Sequence, residues 1–272
     1  MARVRNIPSA LTIAGSDSGG GAGIQADLKT FAALGVYGTS AVTAITAQNT
    51  VAVTEVHEVP VDVISSQINA VITDIGADAI KTGMLSSSAI IRCVADSLSA
   101  VHGPLILVVD PVMVAKSGDS LLQYEAIGTL RNDLIPLASV VTPNIPEAET
   151  LTGITIVSDD DVRQAARIIV EMGAKSVVGK GGHREGPAVD LYFDGTGFRE
   201  FVSPRIETVN THGTGCTFAS AVAAGLAKGF ETEHAIEEAK EFVTEAIRQS
   251  FIIGHGHGPL NHFHGQWGER TI

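Results

Sequence analysis

The stretch Asn210-Thr211-His212-Gly213-Thr214-Gly215-Cys216-Thr217-Phe218 joins a glycine-rich turn to the beginning of an apolar helix, and small apolar residues continue to Leu226. The first N–H groups of a helix have no partner inside the helix and lie at the positive end of its dipole. This turn therefore predicts an anion site, with the thiol of Cys216 at its mouth. The combination favours phosphoryl transfer beside Cys216.

Outward from this turn, short apolar runs alternate with helical patterns of apolar residues. Predicted strands cover residues 11–14, 40–46, 79–81, 105–109, 139–142 and 176–179, and predicted helices cover about 24–32, 64–72, 160–172 and 233–250. Such alternation is typical of a parallel sheet with helices on both faces. The runs 189–193 and 198–202 predict a small β-hairpin appended to that sheet. We expect residues 1–272 to form one α/β domain.

Composition and charge narrow the classes of function. The chain of 272 residues is 44% hydrophobic and 18% charged, which is enough for a packed core. A net charge of -12 does not fit a nucleic-acid-binding protein, which needs a basic surface. No apolar window predicts a membrane span or a signal peptide. The two cysteines make no disulfide framework, which favours the cytoplasm; Cys93, on an apolar helical stripe, is predicted to lie in the core.

Polar and glycine-rich motifs follow the ends of the predicted strands. Ligands of parallel sheets bind beyond the carboxyl ends of the strands, so we expect these motifs to meet at one edge. They are Gly15-Ser16-Asp17, Gln48-Asn49, Gly83-Met84, Asp110, Asn144, Lys180 and the turn at Gly213.

Three of these residues have the chemistry of a phosphate or metal site. Asp110 ends an apolar strand, where its carboxylate can influence Mg²⁺ and phosphate or can cap a turn. Glu147 either reaches Mg²⁺ through water or opens a helix near its positive end. Lys180, beside two glycines, suits a phosphate contact. His183 either contacts substrate or phosphate or is a structural turn residue.

Other motifs allow more than one interpretation. Cys216 is a buried small residue, a covalent nucleophile, or a base beside the anion site, and a helix N-terminus is expected to lower its pKa. Residues 19–26 match a dinucleotide-binding pattern but lack its acidic partner, so a tight turn or a loop that approaches a small substrate is favoured. The chain has no P-loop motif. The histidine-rich segment 255–264 is expected to fold over the protein rather than to bind metal.

Together these segments resemble the ribokinase-like superfamily, and more closely its hydroxymethylpyrimidine/phosphomethylpyrimidine kinases of thiamine synthesis. The resemblance runs nearly end to end. It rests on LTIAGSD (11–17), GGAGIQADLKTF (20–31), AQNT (47–50), KTGML (81–85), DPVM (110–113), KSGD (116–119), TPNIPE (142–147), KGGH (180–183) and NTHGTGCT (210–217). It implies a three-layer α/β/α ribokinase-like fold with a central, mostly parallel sheet. It also implies ATP-dependent phosphorylation of 4-amino-5-hydroxymethyl-2-methylpyrimidine and then of its monophosphate, by a homodimer that uses Mg²⁺.

The resemblance further implies roles for individual residues. Cys216 matches the position at which many sugar kinases of the superfamily carry a catalytic aspartate, and Gln48 matches the glutamine that recognises the aminopyrimidine. The expected catalytic residues are Cys216, Gly213, Gly215 and Lys180. The expected substrate-binding residues are Gln48, Gly15, Asp17, Met84 and Val112. Asn144, Lys180, Thr211 and Gly213 are expected to bind the nucleotide, and Asp110 and Glu147 the metal.

Three alternatives remain open from the sequence. A pyridoxal kinase, or an enzyme with both activities, has the same fold. A cysteine-dependent hydrolase or acyl transferase predicts a covalent adduct on Cys216 and needs no ATP. A non-catalytic nucleotide or vitamer sensor predicts binding without formation of ADP.

Overall fold

A computed structural model describes residues 7–181 and 186–266 of the chain. The strands are β1 (Ser9–Asp17), β2 (Tyr37–Gln48), β3 (Val53–Glu58), β4 (Ala79–Thr82), β5 (Leu107–Val109), β6 (Val140–Val141), β7 (Val177–Gly179), β8 (Ala188–Phe193) and β9 (Phe198–Ser203). The α-helices are α1 (Gly23–Ala33), α2 (Val61–Ala70), α3 (Ser88–Ser99), α4 (Ala126–Thr129), α5 (Ile145–Thr152), α6 (Asp159–Glu171), α7 (Thr214–Ala227) and α8 (Thr232–Arg248). Shorter π and 3₁₀ turns cover Val71–Ile75, Leu130–Leu134 and Ile135–Leu137.

The described strands form one sheet in the order β3-β2-β1-β4-β5-β6-β7-β8-β9. The strands from β2 to β7 in that order pair in parallel, whereas β3, β8 and β9 are antiparallel to their neighbours. The predicted α/β fold with a mostly parallel sheet is therefore confirmed. The predicted hairpin is β8–β9, and its first strand pairs with β7, so it extends the main sheet.

Two apolar clusters pack on opposite faces of the sheet. Val108 contributes to one cluster and Val109 to the other, because neighbouring residues of a strand point to opposite faces. Helices α1, α7 and α8 cover one face, and α2, α3 and α6 contribute to the other cluster. Cys93 on α3 was predicted to be core and is only partly buried; it packs against the second cluster.

β3 and α4 were not predicted, and α5 was expected only in one of the two interpretations of Glu147. β3 is an exposed strand at the sheet edge, and α5 is a short helix whose beginning is formed by a capping box between Asn144 and Glu147. None of the helices in the described ranges is both long enough and apolar enough to cross a membrane.

Candidate active site

The N-terminus of α7 forms the centre of the site. Gly213 caps the helix with φ of 83°, a left-handed conformation that favours glycine. A Cβ on Gly213 would lie 1.8 Å from the carbonyl oxygen of Gly21, so the turn packs directly on the first glycine loop. The N–H groups of Gly215 and Cys216, within the first turn, have no hydrogen-bond acceptor among the described residues. This end of α7 is therefore able to receive an anion.

Lys180 and Asp110 lie against that first turn. The Nζ atom of Lys180 is 2.9 Å from Oδ1 of Asp110 and 3.9 Å from Oε2 of Glu147. A Cβ on Gly215 would lie 3.2 Å from Nζ of Lys180 and 3.8 Å from Oδ2 of Asp110. Burial lowers the pKa of Lys180, but the charges of Asp110 and Glu147 raise it by more, so the ammonium stays charged. Three ionisable groups, each following a different strand of the sheet, thus meet at the helix end.

The two carboxylates suit a divalent cation. Oδ2 of Asp110 is buried and has no hydrogen-bond partner within the described structure. Burial raises the pKa of Glu147 to about 7, with a further rise from Asp110 and an opposing effect of Lys180. No group of three potential metal-binding side chains occurs in the described ranges. This arrangement fits Mg²⁺, which takes one or two protein carboxylates and completes its shell with water and substrate phosphates.

The predicted nucleotide-binding residues border the same turn. The side chain of Asn144 accepts from the N–H of Glu147 at 2.9 Å, so its oxygen is used by the helix cap. The carbonyl of Thr211 accepts from the hydroxyl of Thr214 at 2.8 Å. His183 lies outside the described residues, and its predicted contact stays a prediction.

The predicted pyrimidine pocket draws on the carboxyl ends of four neighbouring strands. A Cβ on Gly15 would lie 3.0 Å from the sulfur of Met84, so these two residues are in contact. Oε1 of Gln48 accepts from the hydroxyl of Thr46 at 3.1 Å, and its Nε2 lies 3.5 Å from Nε2 of His212. Val112 is partly exposed, directly after Asp110. The sheet brings these four predicted substrate residues to one edge, as the sequence implied.

Asp17 has a different task from the one predicted. Its carboxylate accepts from the N–H groups of Gly19, Gly21 and Ala22 at 2.8, 3.0 and 2.8 Å, and lies 2.9 Å from Nε2 of His212. These partners use the roughly four acceptor positions of a carboxylate. Burial raises the pKa of Asp17, but its bonds to His212 and to the loop N–H groups lower it by more. We therefore correct the predicted substrate contact: Asp17 organises the loop and His212.

The contacts of Asp17 also determine what the first glycine loop, residues 19–22, can bind. The N–H of Gly20 donates to the backbone oxygen of Asp17 at 2.9 Å, and the N–H groups around it donate to the Asp17 carboxylate. A loop whose donors are already used internally offers none to a phosphate. The favoured tight-turn interpretation of residues 19–26 agrees with this geometry.

Cys216 is a neutral thiol at neutral pH. Burial raises its pKa to about 11, although the charge of Lys81 and a hydrogen bond from the N–H of Gly23 act in the opposite direction. The expectation that this pKa is lowered is wrong, because burial raises it by more than the charge of Lys81 lowers it. Nε2 of His212 lies 2.9 Å from Asp17, and no hydrogen bond joins His212 to the thiol among the described residues. A nucleophilic hydrolase needs a thiolate, and the geometry does not support that alternative.

A buried ion pair beneath the site was not predicted. Nζ of Lys81 lies 2.9 Å from both oxygens of Asp27, and both side chains are 0% exposed. The signal was a lysine within the otherwise apolar run 79–81, since a buried lysine needs an acidic partner. That signal was overlooked because residues 79–81 were considered only as a strand.

The C-terminal segment folds over the site, as predicted. The N–H of His257 donates to the carbonyl of Thr50 at 2.9 Å, and the carbonyl of Gly258 accepts from the N–H of His212 at 3.1 Å. Nε2 of His262 lies 2.9 Å from the hydroxyl of Thr217 on α7. Burial lowers the pKa of His262 to about 4, so this contact involves a neutral imidazole.

Comparisons with known proteins identify the family of this chain. The family model described as phosphomethylpyrimidine kinase matches residues 17–261. The hydroxymethylpyrimidine/phosphomethylpyrimidine kinase of Bacillus subtilis is 53% identical over 260 residues, which cover 95% of this chain and 96% of that protein. The thiamine biosynthesis bifunctional protein ThiED of Geobacter sulfurreducens is 53% identical over 255 residues, and the match covers 93% of this chain but only 52% of that longer protein.

A solved structure shows the same fold. Bacillus subtilis pyridoxal kinase, solved as an ADP complex, is 43% identical in sequence and has a TM-score of 0.89. The match covers 97% of this chain and 100% of that protein. The family model matches most of the sequence. This chain belongs to the phosphomethylpyrimidine kinase family.

Proposed function

We propose that this protein is an ATP-dependent kinase of thiamine biosynthesis that phosphorylates 4-amino-5-hydroxymethyl-2-methylpyrimidine and then converts its monophosphate to the diphosphate. One observation carries the proposal: the Lys180 ammonium lies against the first turn of α7, whose N–H groups are free to receive a phosphoryl group. The names of relatives that are about half identical over nearly the whole chain support the same activity.

The chain's own residues account for the transfer by positioning and charge. Lys180 neutralises charge on the donor phosphates, and the N–H groups of Gly215 and Cys216 hold the transferring phosphoryl group. Asp110 and Glu147 would hold Mg²⁺, which would supply further neutralisation of phosphate charge. Such preorganised electrostatic contacts are the main source of acceleration in phosphoryl transfer.

The substrate is held at the same sheet edge. The amide of Gln48 offers both a donor and an acceptor, which matches a ring nitrogen beside an exocyclic amine. Gly15, Met84 and Val112 form the apolar walls, with Met84 as an adaptable side chain. The neutral thiol of Cys216 acts by holding the substrate hydroxyl in line, since a thiol with a pKa of about 11 is a poor proton acceptor at neutral pH.

A second candidate function is pyridoxal phosphorylation. It is favoured by one observation, the full-length similarity to the Bacillus subtilis pyridoxal kinase structure. Gln48 favours the aminopyrimidine instead, because its amide matches that ring. The two activities use the same phosphate site, so only the acceptor distinguishes them.

An assay of ADP release with each acceptor tests the proposal. We expect turnover with hydroxymethylpyrimidine and with its monophosphate, and a lower kcat/KM with pyridoxal; a Lys180→Ala variant controls for a contaminating kinase. A preference for pyridoxal would overturn the choice of substrate. Binding of acceptor and nucleotide without ADP would instead identify a sensor.

The cellular setting is also a proposal. The two cysteines of the chain are unpaired, which supports a reducing compartment such as the cytoplasm. The proposed homodimer rests on the resemblance to the ribokinase-like superfamily. Light scattering after size-exclusion chromatography tests the dimer, and a monomer at micromolar concentration would contradict it.

A further inference from the structure

Helices α1 and α7 pack against each other, and a side-chain contact joins them one helical turn below Cys216. The hydroxyl of Ser220 on α7 donates to Oδ1 of Asp27 on α1 at 2.6 Å. Cys216 and Ser220 are separated by four residues on α7, so they share a helix face. Ser220 and its contact with Asp27 therefore lie about 6 Å beneath Cys216.

Lys81 reaches Asp27 from the sheet. Its Nζ contacts both oxygens of Asp27 at 2.9 Å, and the hydroxyl of Thr12 completes the Asp27 shell at 2.6 Å. A Cβ on Gly83 would lie 2.9 Å from this Nζ, so the glycine two residues later leaves room for the ammonium. The buried charge is held in one place by strand, helix and hydroxyl contacts together.

Stability alone does not explain this pair. A buried ion pair seldom stabilises a protein more than apolar side chains of similar volume would, because both ions lose their hydration. The ammonium is joined through Asp27 to Ser220 of α7, one helical turn below Cys216, and its charge acts on Cys216 and Asp110 in the site above. Burial lowers the pKa of Lys81, but Asp27, Cys216 and Asp110 raise it by more, so the charge persists.

We propose that Lys81 is a positioning residue whose ammonium, fixed by Asp27, keeps a permanent positive charge beneath the first turn of α7 and so acts on the Cys216 thiol and on an anion bound above it. The catalytic part of this inference rests on the proposed kinase function. The charged groups that act on the thiol are Lys81, Asp27 and Asp110, and the thiol in turn acts on Lys180.

The two members of the ion pair act on the thiol with opposite signs. The Lys81 ammonium favours the thiolate, and the Asp27 carboxylate disfavours it. Neutralising one member should therefore move the ionisation of Cys216 in one direction, and neutralising the other should move it in the opposite direction. A purely structural pair predicts no such opposition, because loss of either partner loosens the same contact.

The pH profile of Cys216 alkylation by iodoacetamide tests the proposal without any need for turnover. A Cys93→Ser background removes the chain's other thiol. In that background we expect Asp27→Asn to move the midpoint of alkylation to lower pH and Lys81→Met to move it to higher pH, each by about one unit. A change in the access of iodoacetamide to the thiol alters the alkylation rate at every pH, but it leaves the midpoint of the pH profile unchanged. Equal shifts, or shifts in one direction for both variants, would overturn the proposal.

A double variant covers the case in which Lys81→Met does not fold with Asp27 left unpaired. Lys81→Met/Asp27→Asn removes both charges, and its midpoint is expected above that of the background protein, because the ammonium acts on Cys216 more strongly than the carboxylate. A midpoint at or below the background value would overturn the proposal.

In the ADP assay, the double variant should lose about tenfold in kcat with KM for hydroxymethylpyrimidine nearly unchanged. If the midpoint shifts but no acceptor is phosphorylated by the background protein, the proposed function fails and the charge effect stands.

Discussion

Lys180 and Gly215 approach so closely that a Cβ on Gly215 would lie 3.2 Å from the Lys180 ammonium nitrogen. Gly215 is not among the glycines with positive φ, so its backbone does not require glycine. The glycine instead lets the ammonium lie on the first turn of α7. Gly213 differs, because its φ of 83° and its contact with Gly21 both require the missing side chain.

Gly215→Ala should separate activity from stability. Alanine is the better helix former by about 0.5–1 kcal/mol, so we expect unchanged or slightly increased stability in urea unfolding. The added methyl displaces Lys180, and kcat/KM for ATP should fall about tenfold, the equivalent of about 1.4 kcal/mol. Gly213→Ala is the matched control, since it should lower both stability and activity. Full activity in Gly215→Ala would show that the position of Lys180 is not critical.

Lys180→Met should lower turnover strongly. Loss of one preorganised cationic contact to the phosphates is expected to reduce kcat by about 10²-fold or more. Lys180→Arg keeps the charge but not the geometry, so it should recover only part of that loss. ADP release measured at saturating ATP checks both variants, and turnover of Lys180→Met within a few-fold of the natural protein would contradict the phosphate contact.

Glu147 should make stability depend on pH. Burial raises its folded pKa to about 7 from the ordinary 4.5, so the folded state binds the proton more tightly than the unfolded state. The free energy of unfolding should therefore fall as pH rises from about 4.5 to about 7 and then level off. Glu147→Gln keeps a side chain that can complete the capping box, and should remove this part of the pH dependence. Urea unfolding across that pH range measures the difference, and an unchanged slope in the variant would refute the assignment.

Cys216→Ala should lower kcat far more than it changes the affinity for ATP. Because the thiol holds the substrate hydroxyl, Cys216→Ser should keep more turnover than Cys216→Ala. The natural protein's kcat should show no rise that follows a thiol ionisation near pH 11. Steady-state kinetics of both variants, with ATP binding measured separately, provides the check. Full turnover in Cys216→Ala would exclude both a base and a positioning role.

Asp17→Asn should act through the loop rather than through direct substrate contact. The new amide group cannot accept from all the loop N–H groups, so we expect a loss of about 1–3 kcal/mol in unfolding free energy. Gln48→Ala is the contrast, since it should raise KM for hydroxymethylpyrimidine without loss of stability. Thermal unfolding and KM measured on both proteins decide between these roles. A stable Asp17→Asn variant with a raised KM would restore the substrate contact.

Local patterns were sufficient to predict much of the fold. Apolar runs placed β1, β2 and β4, and helical periodicity placed α6 and α8, because β1 and β4 are buried on both faces and each helix buries one continuous face. β3 was missed because it lies exposed at the sheet edge, and its pairing with β2 gives no periodic signal. α5 was expected only as one interpretation of Glu147, because a capping box and an adjacent proline, not an apolar stripe, determine where it begins.

The sequence by itself determined that this chain forms an α/β sheet with its polar motifs at one edge. It also determined that a glycine turn precedes α7. Both could be predicted because periodicity and backbone chemistry are local properties. Only the tertiary structure decided the charges of the site. The Asp17 carboxylate is used by its own loop, partial burial raises the pKa of Cys216, and Lys81 contacts Asp27 beneath that thiol. Burial and the contacts between residues far apart in sequence set these properties, and neither can be read from spacing along the chain.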